Sequence, residues 1–483
     1  MTEDPAAPPI TRRQVVGLTV ATASLAAGRL LWRRSHTKDH LKPLEIGAPL
    51  VQPRVVDSRD GRLQVTLVAS TGVRIAGHDT RAYGYNGTSP GPTLRVRPGD
   101  ELAVRLVNRL DHATNLHTHG LRVSPAADGD NPFVDVAPGE SFDYRIRVPR
   151  DHPHGTHWYH PHHHGTAADQ IFGGLAGALL VVPHDRPSDI EVAADRVLLI
   201  GDTTLDSDGS PVHPSADARA VGREGEMLLV NGQSQPTIAA EQGTWQRWRL
   251  INACTSRVLD VGLAGHPFIQ IAIDGNLFPT PVEREWIRLS PGNRADVLVR
   301  PSGAGRTPLR ARGAPRGSFG AHKPSTATSD LAVLDVAATQ RADAPQPSVP
   351  VPGRRPVATS TRRRVLTLTM ARGTTRMAFG IDDKVYDPDR LDQDVKAGST
   401  EEWQLNNAGP LAHPFHLHAW PFEVLETSEG QTPTGTVQDV VLVPPWGWAR
   451  IRVTFNSPVG RGVYHCHVVD HSDAGMMGTI RVA

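Results

Sequence analysis

Cysteine is nearly absent from this chain of 483 residues, which contains only Cys254 and Cys466. A scaffold held together by several disulfides is therefore excluded, and one disulfide between the two cysteines is the alternative to two free thiols. The chain also lacks an excess of charge, with 51 Lys and Arg residues against 50 Asp and Glu residues. No basic surface large enough for a nucleic-acid partner is predicted from that balance.

Long apolar runs and helical periodicity are missing as well, whereas glycine (45 residues) and proline (41 residues) are abundant. Short Val, Leu, Ile and Thr runs between these turn residues predict an all-β fold. We expect three domains, at 55–183, 190–337 and 362–483, preceded by an N-terminal segment at 1–54. Residues 338–361, rich in Pro, Ala and Arg, are predicted to form a linker, and residues 311–329 a mobile loop.

The N-terminal segment contains a twin arginine, Arg12-Arg13, followed by an uncharged run at 15–28. This is the pattern of a Tat export signal. The run is too short to predict a membrane span, and a disordered basic tail is the alternative interpretation. We therefore expect export by the Tat route to a periplasmic, cell-envelope or extracellular location, with the cleavage site or an uncleaved anchor left open.

The 23 histidines are clustered, which indicates metal binding because neutral imidazole is the commonest transition-metal ligand. The tripeptide His465-Cys466-His467 lies in a run typical of a strand, where successive side chains point to opposite faces. The thiolate of Cys466 therefore faces one way and the two imidazoles face the other. One strand can thus carry ligands for two different metal sites.

The residues after the tripeptide extend the cysteine side of this pattern. His471 and Met476 follow, and cysteine, histidine and a weak thioether are three of the four ligands of a blue-copper site. His413 is the candidate for the second imidazole. Met477 adjoins Met476, so the axial ligand stays open between these two residues. Cys254 lies in an apolar segment typical of a small buried side chain.

The imidazole side is matched by His-x-His pairs elsewhere in the chain, a spacing that places both rings on one face of a strand. Together with the two histidines beside Cys466 these pairs supply eight imidazoles, enough for three copper ions. The eight are His117, His119, His160, His162, His416, His418, His465 and His467.

Four motifs in this order resemble the three-domain multicopper oxidases, and most of all the bacterial laccases exported by the Tat route. The resemblance extends from about residue 60 to the end of the chain. It implies three cupredoxin-like domains, each a Greek-key β-sandwich or barrel, of which the second is copper-free. The motifs are His-x-His-Gly at 117–120, Trp-Tyr-His-Pro-His-x-His-Gly at 158–165, His-Pro-Phe-His-Leu-His at 413–418 and His-Cys-His-x3-His-x4-Met at 465–476.

The resemblance also implies four copper ions and assigns ligands to them. A type 2 ion and a type 3 pair would form a trinuclear cluster between the first and third domains of one chain, so a monomer is expected. The implied ligands are His413, Cys466, His471 and Met476 for type 1 copper, His117 and His416 for type 2 copper, and His119, His160, His162, His418, His465 and His467 for the type 3 pair.

Reduction of dioxygen also needs acidic groups that deliver protons. Asp128 lies nine residues after His119, where similar enzymes place such an acid, although Asp128-Gly129 is also a turn signature. Many bacterial relatives have glutamate directly after the ligand that corresponds to His471, and this chain has Ser472 there. Asp473 is the candidate substitute, or the proton path is different.

The implied activity is the oxidation of phenols or aromatic amines in one-electron steps, coupled to the four-electron reduction of dioxygen to water. The alternative is a metallo-oxidase for Cu(I), Fe(II) or Mn(II) in metal tolerance. A Cu(I) oxidase is expected to carry a methionine-rich segment, because soft thioethers suit Cu(I). This chain has only six methionines and none within 311–329, which favours the laccase-like hypothesis. A third hypothesis, a copper-free scaffold, predicts missing ligands, and none of the expected ligands is missing.

Overall fold

The computed structural model describes residues 39–185, 188–320, 323–338, 344–353, 359–372, 377–431 and 436–483. Most elements in these ranges are short strands, and the helices among them have six residues or fewer. The predicted all-β fold class is therefore confirmed. The predicted export signal lies outside the described residues. Within the described ranges, no helix has the length and apolar character needed to cross a membrane.

The first unit consists of two packed sheets and a short hairpin. Its strands are β1 (Val55–Asp57), β2 (Arg62–Thr71), β3 (Arg74–Ile75), β4 (His78–Asp79), β5 (Tyr83–Tyr85), β6 (Thr93–Val96), β7 (Glu101–Asn108), β8 (His117–His119), β9 (Ser141–Arg147), β10 (Gly155–His160) and β11 (Gly177–Val181). The sheet orders are β5-β2-β7-β9 and β1-β6-β11-β10-β8, and β3 pairs with β4. Antiparallel pairing of β8 with β10 sets His117 opposite His160.

The second unit repeats this two-sheet arrangement. Its strands are β12 (Ala194–Thr203), β13 (Met227–Val230), β14 (Thr237–Glu241), β15 (Gln246–Asn252), β16 (Leu259–Leu263), β17 (Phe268–Ile273), β18 (Asn276–Arg284), β19 (Trp286–Leu289), β20 (Arg294–Val299), β21 (Gly305–Gly313) and β22 (Thr328–Ala337). The sheet orders are β13-β12-β15-β20-β17-β18 and β14-β22-β21-β16-β19. Trp248, Leu250 and Val261 are among the apolar residues buried between the sheets.

The third unit is again a sandwich of two sheets. Its strands are β23 (Arg362–Arg372), β24 (Met377–Ile381), β25 (Gln393–Val395), β26 (Thr400–Asn407), β27 (His413–Leu417), β28 (Phe422–Thr427), β29 (Gly430–Gln431), β30 (Val437–Gln438), β31 (Val440–Val443), β32 (Trp448–Thr454), β33 (Gly460–Cys466) and β34 (Met477–Val482). The sheet orders are β24-β23-β26-β32-β28-β29, with β30 on β28, and β25-β34-β33-β27-β31. Pairing of β27 with β33 sets His416 opposite His465.

Three short helices, one from each unit, meet beside the end of β33. They are α1 (Ala167–Phe172), α2 (Ala216–Val221) and α3 (Val469–Asp473). Helix α3 packs against both α1 and α2. A helix of one turn is unstable in isolation because nucleation costs more than one turn of hydrogen bonds returns. The position of α3 therefore depends on its neighbours in the other two units.

The segment 311–329, predicted to be a mobile loop, is only partly a loop in its described residues. Strands β21 and β22 include its two ends, and Arg316 between them is fully buried. The Arg316 guanidinium donates to the Val221 carbonyl at 2.6 Å and to Glu224 Oε1 at 3.2 Å. These acceptors hold the Arg316 guanidinium in the interior, whereas the composition of the segment predicts a solvated side chain.

Candidate metal centre

Three donor atoms converge on the cysteine face of β33. Cys466 Sγ lies 3.4 Å from His413 Nδ1 and 3.9 Å from His471 Nδ1, and the two Nδ1 atoms are 3.3 Å apart. All three side chains are fully buried. Two imidazole nitrogens and one sulfur at these separations fit a single copper ion, because His2Cys is the donor set of blue-copper sites.

The structure separates the two adjacent methionines that the spacing leaves open. Met477 is opposite His465 in the β33–β34 register and lines a small cavity beside His465 and His467. Met476 belongs instead to the buried apolar cluster that contains Cys466. The two neighbours thus face the two different donor groups. Met476 is the one placed to act as the axial ligand on the cysteine side.

A second donor group on the imidazole face of β33 joins the first and third units. His465 Nε2 lies 3.0 Å from His162 Nε2 and 3.2 Å from His418 Nε2. The three rings are buried, and their nitrogens lie close enough together to hold a metal ion. These three residues are half of the predicted type 3 ligand set.

The other half of that set lies beside it. His119 Nδ1 is 3.4 Å from His160 Nε2, and the ring centroid of His467 is 5.0 Å from that of His119 and 5.6 Å from that of His160. Neither ring nitrogen of His467 has a hydrogen-bond partner among the described residues, although the ring is buried. Buried polar atoms without partners are costly, and a bound metal ion would satisfy them.

The predicted type 2 ligands, His117 and His416, are each oriented through Nδ1. His117 Nδ1 contacts Asp130 Oδ2 at 2.9 Å, and His416 Nδ1 donates to the Asp439 carbonyl at 2.7 Å. The Nε2 atom of each ring is buried and lacks a hydrogen-bond partner in the described part of the chain. A histidine whose one nitrogen is fixed in this way presents the other as a ligand. Both residues therefore fit copper through Nε2.

Burial keeps the histidines of both donor groups neutral. Desolvation lowers the pKa of His413 and of His160 to about 3, and that of His465 to about 4. Neutral imidazole is the form that binds metal. Desolvation also raises the pKa of the Cys466 thiol to about 12, so a copper ion would have to displace the thiol proton on binding.

The structure corrects the predicted acid near the type 2 ligands. Asp128 is exposed on the turn at 126–129, and its carbonyl accepts from the Arg145 amide at 2.7 Å. Asp130, two residues later, is buried, and its Oδ1 accepts from the Thr118 amide at 2.7 Å while its Oδ2 contacts His117. Burial raises the pKa of Asp130 to about 7. The spacing from His119 in similar enzymes predicts Asp128, the first of the two aspartates in Asp128-Gly129-Asp130. The conformation of the turn decides that the second aspartate is the one that points inward.

We predict that Asp130→Asn lowers copper occupancy or turnover by about 10–100-fold, the usual effect of removing a carboxylate that orients a metal-binding histidine. Copper content per chain and oxygen uptake measure this effect. Asp128→Asn is the matched control, because it makes the same change two residues away on the exposed turn. Equal losses in the two variants would contradict the assignment of Asp130.

The predicted acid Asp473 does lie beside the histidine cluster. It lines the small cavity together with Ser472 and histidines of the imidazole face such as His162 and His465. Its carboxylate is enclosed against the start of α1, where it accepts from the Gly165 amide at 3.0 Å and the Ala168 amide at 2.8 Å. Burial raises its pKa to about 7. Ser472 Oγ instead turns back to the Val469 carbonyl at 3.0 Å.

Two buried residues beside this cluster, Asp439 and Arg294, were not predicted from the sequence. Asp439 Oδ1 lies 3.0 Å from His119 Nε2, and Arg294 donates to both oxygens of Asp439 at 2.6 and 2.7 Å. Arg294 Nε also donates to the Thr156 carbonyl at 3.2 Å, so this guanidinium joins all three units. Asp439 stands 320 residues from His119, at a bend between β30 and β31, and no local pattern distinguishes it.

Comparison with known proteins agrees with this geometry. Three sequence families, each described as multicopper oxidase, match residues 67–186, 154–336 and 355–483. Multicopper oxidase mco of Staphylococcus haemolyticus is 28% identical over 449 residues, covering 90% of this chain and 92% of the relative. The laccase of Bacillus subtilis is 28% identical over 477 residues, covering 82% of this chain and 89% of the laccase.

Among solved structures, a multicopper oxidase from Campylobacter jejuni, described as a metallo-oxidase, superposes with a TM-score of 0.81. It is 28% identical, and the match covers 92% of this chain and 98% of that protein. The predicted cupredoxin-like architecture is thereby confirmed. This chain belongs to the multicopper oxidases, and it is a copper-dependent oxidoreductase of that family.

Proposed function

We propose that this protein oxidises phenols or aromatic amines in one-electron steps and reduces dioxygen to water. The observation that carries the proposal is the double-sided strand β33. Cys466 lies on one face with His413 and His471, and His465 and His467 lie on the other face among the remaining imidazoles. Copper ions, when bound, supply one-electron transfer at the first group and dioxygen reduction at the second. The peptide bonds that flank Cys466 join the two groups.

The proposed copper complement is one type 1 ion, one type 2 ion and a type 3 pair. Support comes from one buried donor group on the cysteine face and several overlapping groups on the imidazole face. The stoichiometry also balances, because four one-electron oxidations and four protons convert one dioxygen molecule into two water molecules. Copper analysis of the purified protein, expected to give about four ions per chain, tests this complement.

We assign to Asp473 the delivery of protons towards the histidine cluster. Its position in the cavity beside His162 and His465 supports this role, whereas the Ser472 hydroxyl is bonded to its own helix. We expect Asp473→Asn to lower kcat by about 100-fold or more, the usual contribution of a positioned acid. Adding Ser472→Glu to that variant should recover part of the loss, because the resemblance places a glutamate there in relatives. Full activity of Asp473→Asn, measured by oxygen uptake, would refute the assignment.

The metallo-oxidase remains the second candidate, and one observation favours it. Electron transfer from a phenol or aromatic amine without a bond to copper would be helped by an exposed edge at the type 1 site, but His471, His413 and Cys466 are all fully buried. His471 Nε2 donates to the Ala220 carbonyl at 3.2 Å, so helix α2 covers the ligand that an organic substrate would approach. A reductant therefore has to donate its electron across at least one layer of protein. A metal ion can do this at a site that has no pocket shaped for a phenol.

Steady-state kinetics with phenols, aromatic amines, Cu(I), Fe(II) and Mn(II) distinguish these two substrate classes. We expect the highest kcat/KM for an organic reductant, with one dioxygen consumed for every four electrons. A much higher kcat/KM for Cu(I) or Fe(II) than for any organic reductant would replace the laccase-like proposal by the metallo-oxidase. Hydrogen peroxide as the main product would contradict the four-electron reaction.

We also propose that the protein is exported by the Tat route and acts as a monomer. The twin arginine Arg12-Arg13 supports export, and the donor groups are complete within one chain. Cell fractionation of the wild type and of a variant with both arginines replaced by lysine tests the first proposal. The mass of the purified protein in solution tests the second.

A further inference from the structure

Helix α3 carries the type 1 ligand His471, and three successive residues of α3 are bound by the second unit. The Val469 amide donates to the Thr255 carbonyl at 2.9 Å. The Asp470 carboxylate accepts from Arg223, and His471 Nε2 donates to the Ala220 carbonyl at 3.2 Å. The second unit supplies none of the predicted copper ligands, yet it contacts the type 1 ligand helix along most of its length.

The contact between Arg223 and Asp470 is the strongest of the three. Arg223 Nη2 lies 2.6 Å from Asp470 Oδ1, its Nε lies 3.0 and 3.1 Å from the two carboxylate oxygens, and its amide donates to Oδ2 at 2.9 Å. Both side chains are buried, with 4% and 2% of their surfaces exposed. A bidentate guanidinium–carboxylate pair fixes direction as well as distance, because its two parallel hydrogen bonds resist rotation.

Arg223 is itself held from two further sides. Its Nη1 donates to Asp169 of helix α1 in the first unit, and its carbonyl accepts from the Ser256 hydroxyl. The preceding residue, Gly222, has a φ of +82°, and a Cβ atom there would lie 2.6 Å from a Val468 side-chain carbon. The backbone of the second unit therefore approaches α3 at a distance that only glycine permits.

We propose that Arg223 is a positioning residue for the type 1 site and acts through Asp470 on its neighbour His471. The inference rests on the proposed copper complement, because it concerns the geometry of the type 1 ion. Arg223 fixes α3, and α3 fixes the His471 ring, which is held between the stacked ring of Phe379 at 4.2 Å and the Ala220 carbonyl. The second unit thereby sets the position of His471 Nδ1 relative to Cys466 Sγ.

The physical reason is that the Arg223–Asp470 pair is a charged, bidentate contact between α3 and the second unit, whereas Val469 and His471 each make a single hydrogen bond to a carbonyl there. A single helical turn contributes little stability of its own, and Asp470 is a buried carboxylate that requires a cation. If the guanidinium fork is lost, Asp470 has to turn towards another donor and carries His471 with it. A displaced ring changes the copper–imidazole bond, which alters the absorption spectrum and the reduction potential of the type 1 ion.

Arg223→Lys tests the proposal because it keeps the charge and removes the bidentate fork. In the copper-loaded, full-length protein we expect a shifted or weakened blue absorption, a shifted type 1 reduction potential and a kcat lower by about 10–100-fold. Asp470→Asn, which keeps the shape of the side chain, should shift the same spectrum and potential. This second variant keeps the test valid where Arg223→Lys fails to fold.

Arg247→Lys is the matched control. Arg247 is equally buried and also bridges two carboxylates, Asp189 and Asp296, at 2.6 Å each, but it does not contact α3. An unchanged type 1 spectrum and potential in both Arg223→Lys and Asp470→Asn would overturn the inference, and so would equal shifts in Arg247→Lys. Absence of blue absorption from the copper-loaded wild type would overturn the proposed function together with the inference, which distinguishes the two failures.

Discussion

Replacing Cys466 by serine is expected to abolish the blue absorption and oxidase turnover with every reductant. A serine hydroxyl is not a soft ligand and does not replace the thiolate on which the type 1 site depends. The imidazole groups should still bind about three copper ions, because their donor nitrogens lie on the opposite face of β33. Copper analysis, visible absorption and oxygen uptake on one preparation measure these three expectations together.

Cys254→Ser provides the matched control, because these are the two cysteines of the chain and both are buried. Cys254 Sγ lies 3.9 Å from the Ile200 carbonyl, and none of the donor groups formed by the described residues includes it. We expect full copper content and turnover from this variant. Blue absorption in Cys466→Ser, or its loss in Cys254→Ser, would show that the type 1 site has been assigned to the wrong cysteine.

Replacing Arg294 by methionine is expected to destabilise the protein by about 3–5 kcal/mol, because it leaves buried carboxylates without their cation. Arg294 is fully buried and makes ion pairs with Asp439 and Asp274. Copper occupancy at the imidazole groups should fall as well, since Asp439 contacts His119 and its carbonyl orients His416. Urea unfolding of the apoprotein and copper analysis measure the two effects separately.

Arg310→Met is the control for this prediction. Arg310 and its partner Asp330 form an ion pair in which both side chains are nearly half exposed. Exposed pairs of this kind contribute about 0–1 kcal/mol, so the unfolding midpoint should hardly change. If Arg294→Met unfolds at the same urea concentration as Arg310→Met, then the contacts of Arg294 with the three units do not contribute to the free energy of unfolding.

The residues of the two donor groups could be predicted from the sequence because their spacing is local. In a strand, side chains two residues apart point to the same face, wherever the strand lies in the fold. His-x-His and His-Cys-His therefore predict which side chains lie together. The axial ligand could not be fixed in the same way, since Met476 and Met477 are adjacent and only the start of β34 decides which faces Cys466. Asp130 was missed for a similar reason, because the turn at 126–129 determines which aspartate is buried.

The sequence by itself determined the all-β fold, the family resemblance and the residues of both donor groups, since each depends on residue type at short spacing. The tertiary structure alone decided which buried partners orient those ligands. Arg294 and Asp439 meet across 145 residues, and Arg223 and Asp470 across 247. Contacts between residues so far apart in the chain leave no trace in a local pattern, because they exist only once separate sheets have packed together.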